Sequence, residues 1–188
     1  NPECRDEGML VNLQSYIDDQ NDKDILIILH TMGSHGPAYY KRYPEEFEVF
    51  VPVCKTSQLN ECTDQEISNA YDNTILYADY FLSKVIGLLK RNSQELDTAM
   101  FYVSDHGESL GENGLYLHGM PYFMAPDEQI DVPALMWLND SMSKVFDIES
   151  IKNKEDLPLS HDNLFHTLLG LMGVETKLYD KGLDLMTK

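Results

Sequence analysis

No apolar stretch in this chain approaches the roughly 20 residues needed to span a bilayer. Nothing in it predicts a membrane helix. Basic residues are also scarce, with Lys and Arg numbering 14 against 32 Asp and Glu in 188 residues, a net charge of −18. Proteins that bind nucleic acid neutralise phosphates with Lys and Arg, so this deficit argues against a nucleic-acid partner. It argues equally against broad electrostatic adhesion to an anionic membrane, and most of the acids read as solubilising. There is no internal repeat and no low-complexity tract, and the first residues carry no signal-peptide pattern. Cysteine is sparse, with three in the chain. Cys54 and Cys62 bracket a polar loop, Lys55-Thr56-Ser57-Gln58-Leu59-Asn60-Glu61, and closing so small a loop makes them a disulfide candidate. The alternative is that all three cysteines are reduced and merely packed. Disulfides persist in the periplasm and outside cells and are rare in the cytosol. Cys4 is left over, which in an exported protein suggests a missing partner or a free thiol.

What the chain does hold is concentrated at the ends of predicted strands. Ala99-Met100-Phe101-Tyr102-Val103 is short and apolar, and reads as a buried strand of a parallel sheet. It runs into Asp105-His106-Gly107-Glu108-Ser109. Ligands of open α/β sheets sit outside the carboxyl ends of the strands, and a carboxylate beside an imidazole has the chemistry of a metal site. Neighbouring side chains on a strand point to opposite faces, so Asp105 and His106 share one ion only if the backbone turns, which Gly107 permits. Asp24-Ile25-Leu26-Ile27-Ile28-Leu29 is a second predicted core strand, followed by His30-Thr31-Met32-Gly33-Ser34-His35-Gly36-Pro37. Gly33 and Gly36 allow close backbone approach to a ligand. A third cluster, Gly111-Glu112-Asn113-Gly114-Leu115-Tyr116-Leu117-His118-Gly119, follows the Asp-His pair. Four of the six histidines, His30, His35, His106 and His118, thus fall on loops beside predicted strands. A single loop histidine reads as a solvated polar residue; four with an acid predict a shared zinc or phosphate site.

The remaining pattern is α/β. Thr63-Asp64-Gln65-Glu66 is a capping box, and Ile67, Ala70, Tyr71, Ile75, Ala78, Leu82, Val85, Ile86 and Leu89 recur at helical spacing. One long helix is predicted from about Asp64 to Arg91. Val132 to Trp137 reads as another strand, with Pro133 awkward inside it. Ser160 is placed as the cap of a last helix from Asp162 to about Met172, ended by Gly173. Asn139 to Leu159 is polar and carries no clear periodicity.

Two long stretches, His30 to Tyr43 and Tyr102 to Gly119, resemble the periplasmic catalytic domain of lipid A phosphoethanolamine transferases. These belong to the alkaline phosphatase superfamily and include the mobile colistin-resistance enzymes. The resemblance extends to Cys54, Cys62 and Ser160-His161-Asp162-Asn163-Leu164-Phe165. It implies an alkaline phosphatase-like (sulfatase-like) fold, a central sheet with helices on both faces. It also implies that residues 1–188 are the carboxy-terminal portion of that catalytic domain, with the membrane domain and an upstream part absent. The implied activity is transfer of phosphoethanolamine from phosphatidylethanolamine to lipid A or another envelope acceptor, through a phospho-threonine enzyme intermediate. The cofactor implied is Zn2+ and the location the periplasm, as the soluble domain of an inner-membrane protein.

By the same resemblance, Asp105 and His106 are zinc ligands. His35 and His118 match positions that bind the substrate phosphate or a second zinc, and His30 matches a nearby histidine. The Cys54–Cys62 disulfide agrees with the family pattern. The nucleophilic threonine and an acidic zinc ligand are expected upstream, so no catalytic nucleophile is assigned within this chain; Thr31 and Ser34 do not match its place. The chain alone is therefore expected to lack turnover. Tyr39-Tyr40-Lys41-Arg42-Tyr43 is a basic, aromatic patch suited to lipid headgroups, or else a loop folded over the sheet. Two rival classes remain: a phosphodiesterase or sulfatase-type hydrolase of the same superfamily, and a non-catalytic metal-binding envelope module.

Overall fold

The computed structural model describes residues 4–20 and 23–187. Its helices are α1 (Leu13–Asp18), α2 (Asp64–Asn92), α3 (Asp127–Ile130), α4 (Met142–Val145), α5 (Ile148–Lys152) and α6 (Asp162–Leu171). Its strands are β1 (Ala99–Val103), β2 (Ser109–Leu110), β3 (Tyr116–Leu117) and β4 (Ala134–Leu138). The chain divides into one compact unit of residues 1–88 with 102–135, and a second of 89–101 with 136–188. No helix among the described residues is long and apolar enough to cross a membrane.

The first unit is organised by α2. Its start is the capping box expected from sequence. The Thr63 amide donates to the Glu66 carboxylate at 2.8 Å, and the Glu66 amide to the Thr63 hydroxyl at 3.3 Å. Those bonds hold the Glu66 carboxyl below its ordinary range. The buried stripe of α2 is Ile67, Ala70, Thr74, Tyr77, Phe81, Val85 and Leu88, a helical period. The sequence placed Ile75 on that stripe, but Ile75 is exposed. Polar residues sit on the inner face instead, because loop backbone satisfies them. Asn73, fully buried, accepts from the amides of Val49 and Phe50, both at 2.9 Å, and donates to the Phe50 carbonyl. Against α2 pack Tyr39, Cys54 and Leu59, with Leu110, Tyr116 and Leu117 beside them. Cys54 and Cys62 are disulfide-bonded, and Cys4 is a free, exposed thiol.

The predicted strand at 24–29 forms no ladder among the described residues. Its side chains still alternate as a strand's do: Leu26 and Ile28 are exposed, while Ile25, Ile27 and Leu29 are half-buried. Being apolar on both faces suits a strand covered on two sides, and one side here is bare. β1 pairs with β4. The Ser104 amide donates to the Pro133 carbonyl in the first unit, and Asn139 to Thr98 in the second, so the pair is antiparallel. β1 is half-buried throughout, where a buried parallel strand was expected. Pro133 lies just ahead of β4 and contributes its carbonyl, needing no donor.

In the second unit, α6 begins where expected. Its N-cap is His161, not the expected Ser160; the Ser160 hydroxyl accepts from the Asp162 amide at 3.2 Å one position earlier, and Gly173 closes the end with φ +61. The polar stretch after residue 139 resolves into α4 and α5. Asn163 donates to the Leu183 carbonyl, and Thr167 accepts from the Leu185 amide, fastening the carboxy-terminal segment onto α6.

Candidate metal and phosphate site

His35, His106 and His118 come from three loops of the first unit and converge. One ring nitrogen of each lies within 4.8 Å of those of the other two. The His106 and His118 rings stack with centroids 3.7 Å apart, and His35 stands edge-on to both at 5.9 and 5.1 Å. In each ring Nδ1 faces a group that only accepts. The Gly36 carbonyl is 2.7 Å from His35, the Gly107 carbonyl 2.9 Å from His106, and the Glu108 carboxylate 3.1 Å from His118. A neutral imidazole so placed carries its proton on Nδ1 and leaves the Nε2 lone pair free.

Asp105 is largely exposed, and its Oδ1 sits 3.8 Å from His106 Nε2. Zinc–ligand bonds are about 2.0–2.2 Å, so two donors on one ion lie at most about 4.4 Å apart. The Asp105–His106 pair fits a shared ion. His35, His106 and His118, with one nitrogen each within 4.8 Å of the others, are grouped closely enough to take a phosphate, or a metal once they draw in by a few tenths of an ångström. His30 is exposed and is not brought into the cluster. Ser34 accepts from the Thr74 hydroxyl of α2 at 2.6 Å.

Glu108, which the motif itself assigns no role, takes one in the structure. Only 7 % exposed, it accepts from the Gly36 amide at 3.1 Å, the Tyr39 hydroxyl at 2.9 Å and His118 Nδ1 at 3.1 Å. It thereby ties the His35 loop to the His118 loop and fixes the tautomer of His118. Carboxylates behind a metal-binding imidazole commonly do this. Burial first, then the Glu108 charge, pushes the Tyr39 hydroxyl far above its ordinary range, so it stays a donor. No local pattern separates a buried glutamate from a solvated one, because Glu108's acceptor role depends on partners 69 and 72 positions away.

The glycines act differently from expectation. Gly107 does not adopt a positive φ; a side chain there would strike the Glu128 carbonyl. The close approach at Gly36 is taken by Leu117 and the Tyr39 hydroxyl, 2.5 and 2.7 Å from where a Cβ would stand. Gly33 alone of these uses left-handed backbone, at φ +53. In the Tyr39–Tyr43 patch, Tyr39 and Tyr43 are core residues at 1 % and 2 % exposure, which removes two of its aromatics from any lipid. Arg42 donates to the His35 carbonyl at 2.7 Å and so supports the site loop.

The protein-family model described as Sulfatase matches residues 1–174. The chain belongs to the sulfatase family. Phosphoethanolamine transferase EptA of Escherichia coli (strain K12) is 48% identical over 189 residues, covering 99% of this chain and 34% of the relative. Phosphatidylethanolamine transferase Mcr-2 of Escherichia coli is 52% identical over 172 residues, 92% of this chain and 31% of the relative. A solved structure, the C-terminal periplasmic domain of phosphoethanolamine transferase EptC from Campylobacter jejuni, matches with a TM-score of 0.90 and 46% identity. It covers 100% of this chain and 59% of that one. This sulfatase-family chain spans about a third of the length of the curated relatives it matches. The α/β, sulfatase-like fold expected from the motifs is borne out, as is the likeness to phosphoethanolamine transferases.

Proposed function

We propose that residues 1–188 are the carboxy-terminal portion of a periplasmic, zinc-dependent phosphoethanolamine transferase whose membrane domain and nucleophile lie outside this chain. The convergence of His35, His106 and His118 beside Asp105 carries the reading. The names and identities of the relatives support it. The donor is phosphatidylethanolamine, and the acceptor is lipid A or another envelope molecule.

Asp105 and His106 would hold Zn2+, which supplies Lewis acidity and charge neutralisation at the reacting phosphoryl group. His35 and His118 hold a second zinc through their free Nε2 or, as cations, donate from Nε2 to the anionic phosphoryl oxygens. Glu108 and Arg42 keep those imidazoles in place. A threonine hydroxyl from the rest of the protein attacks phosphorus, and the bond to the diacylglycerol oxygen breaks. Diacylglycerol leaves with a proton, and phosphoethanolamine remains on threonine. An acceptor phosphate or hydroxyl then attacks the same phosphorus and frees the threonine. Dividing the transfer in two avoids one difficult step.

Zinc titration against a chelator tests the site. One tightly held zinc per protein, lost in Asp105→Ala with His106→Ala, supports it. Equal zinc binding by the variant rejects the ligand assignment. A panel of phosphatidylethanolamine, phosphodiester and sulfate ester substrates given to the full-length protein separates transferase from hydrolase.

A further inference from the structure

Residues 119–126, Gly-Met-Pro-Tyr-Phe-Met-Ala-Pro, carry no charge in a chain that is 24% charged. Their tip is bare: Tyr122 is 81 % exposed, Phe123 85 % and Met124 58 %. The tip is also rigidly mounted. The Met124 and Ala125 amides both donate to the Pro121 carbonyl, at 2.8 and 2.9 Å, closing a tight turn. At its base the Met120 amide donates to the Gln129 side chain at 3.4 Å, and that side chain donates to the buried Ser109 hydroxyl at 2.9 Å. The Gln129 carbonyl accepts from Gly107 at 2.9 Å. One end of the loop therefore starts at His118 and the other is fastened to residues 107–109. The aromatic tip and the histidine cluster form one piece of the first unit.

We infer that Tyr122, Phe123 and Met124 insert into the interface of a zwitterionic phospholipid bilayer. This rests on the function proposed above. A net charge of −18 provides no attraction to an anionic surface, so the contact that this chain itself makes with lipid is apolar. A tyrosine beside a phenylalanine and a methionine, with no charge among them, has the chemistry of the lipid–water boundary. Because the loop begins at His118, a tip seated there holds the imidazoles at the level of the headgroups, where the phosphodiester of the donor lies. Of the two readings of the Tyr39–Tyr43 patch, burial of Tyr39 and Tyr43 favours the loop folded over the core, and the loop at 119–126 supplies the lipid contact.

The experiment uses Phe123→Trp and vesicles of phosphatidylcholine and phosphatidylethanolamine with brominated chains. Emission of the new indole shifts to the blue and is quenched on vesicle addition, while the parent's single Trp137 is unaffected. Tyr122→Ser with Phe123→Ser lowers vesicle partitioning by about tenfold or more, with zinc uptake and melting temperature as in the parent. No quenching at position 123, or undiminished partitioning of the double variant, overturns the inference and points to a protein segment as the occupant. Vesicle binding with quenching but no zinc uptake in either protein upholds this surface and removes the function it was built on.

Discussion

Replacing Glu108 separates its structural role from its role at the site. Two of its three donors, the Gly36 amide and the Tyr39 hydroxyl, are buried. A buried donor left without a partner costs about 1–3 kcal/mol, so Glu108→Ala is expected to lose about 2–6 kcal/mol, a large part of the about 5–15 kcal/mol that holds a typical domain. His118 is exposed, and water replaces its lost partner. Glu108→Gln is the more informative change. The amide oxygen keeps the Gly36 and His118 contacts, and the amide nitrogen donates to Tyr39, whose hydroxyl can turn to accept. The shape survives while the negative charge behind the imidazole is lost. Such partners are typically worth about 10–100-fold in metal affinity, or about 1.4–2.8 kcal/mol. Competitive zinc titration alongside thermal melting reads both effects. A Gln variant that melts like the parent and binds zinc equally well would refute the orienting role. An Ala variant as stable as the parent would refute the burial argument.

Thr63→Ala, which opens the capping box of α2, is expected to cost about 0.5–2 kcal/mol; an unchanged denaturation midpoint would show the box to be idle. The Cys54–Cys62 bond closes a loop of sequence separation 8, for which chain entropy predicts roughly 2.5 kcal/mol. Urea titration of Cys54→Ser with Cys62→Ser checks this, and no loss would contradict it. Burial first, then Glu7, pushes the Tyr77 hydroxyl from 10.0 up to about 12. The folded state thus favours the neutral phenol. That stability is whole below pH 10 and is lost as pH rises towards about 12. Circular dichroism should record a decline over this window that Tyr77→Phe makes shallower, and a flat profile in the parent would count against it.

Where one segment carries its own signal, the sequence was readable. Thr63 and Glu66 announced the start of α2, the period of its apolar residues reached its end within one position, and Gly173 marked the close of α6. The cysteine spacing pointed to its bond. His35, His106 and His118 were singled out from three loops, and they meet. What stayed hidden depends on partners far along the chain. Asn73 and Thr74 look like an outer face until loop backbone at residues 49–50 and Ser34 meet them. Glu108 looks solvated until Gly36 and Tyr39 enclose it. The tyrosines at 39 and 43 suggested a surface because nothing local shows that they fill the space against α2.

The bare strand at 25–29 has a practical consequence. Ile-Leu-Ile-Ile-Leu has no charge, no proline and no glycine, and backbone groups with no ladder partner among the described residues. Such a segment is a template for pairing with a copy of itself. Concentrated solutions of this chain are expected to self-associate through these five residues, so a lysine at Ile28, its most exposed position at 78 %, is the change to make before any biophysical measurement at high concentration.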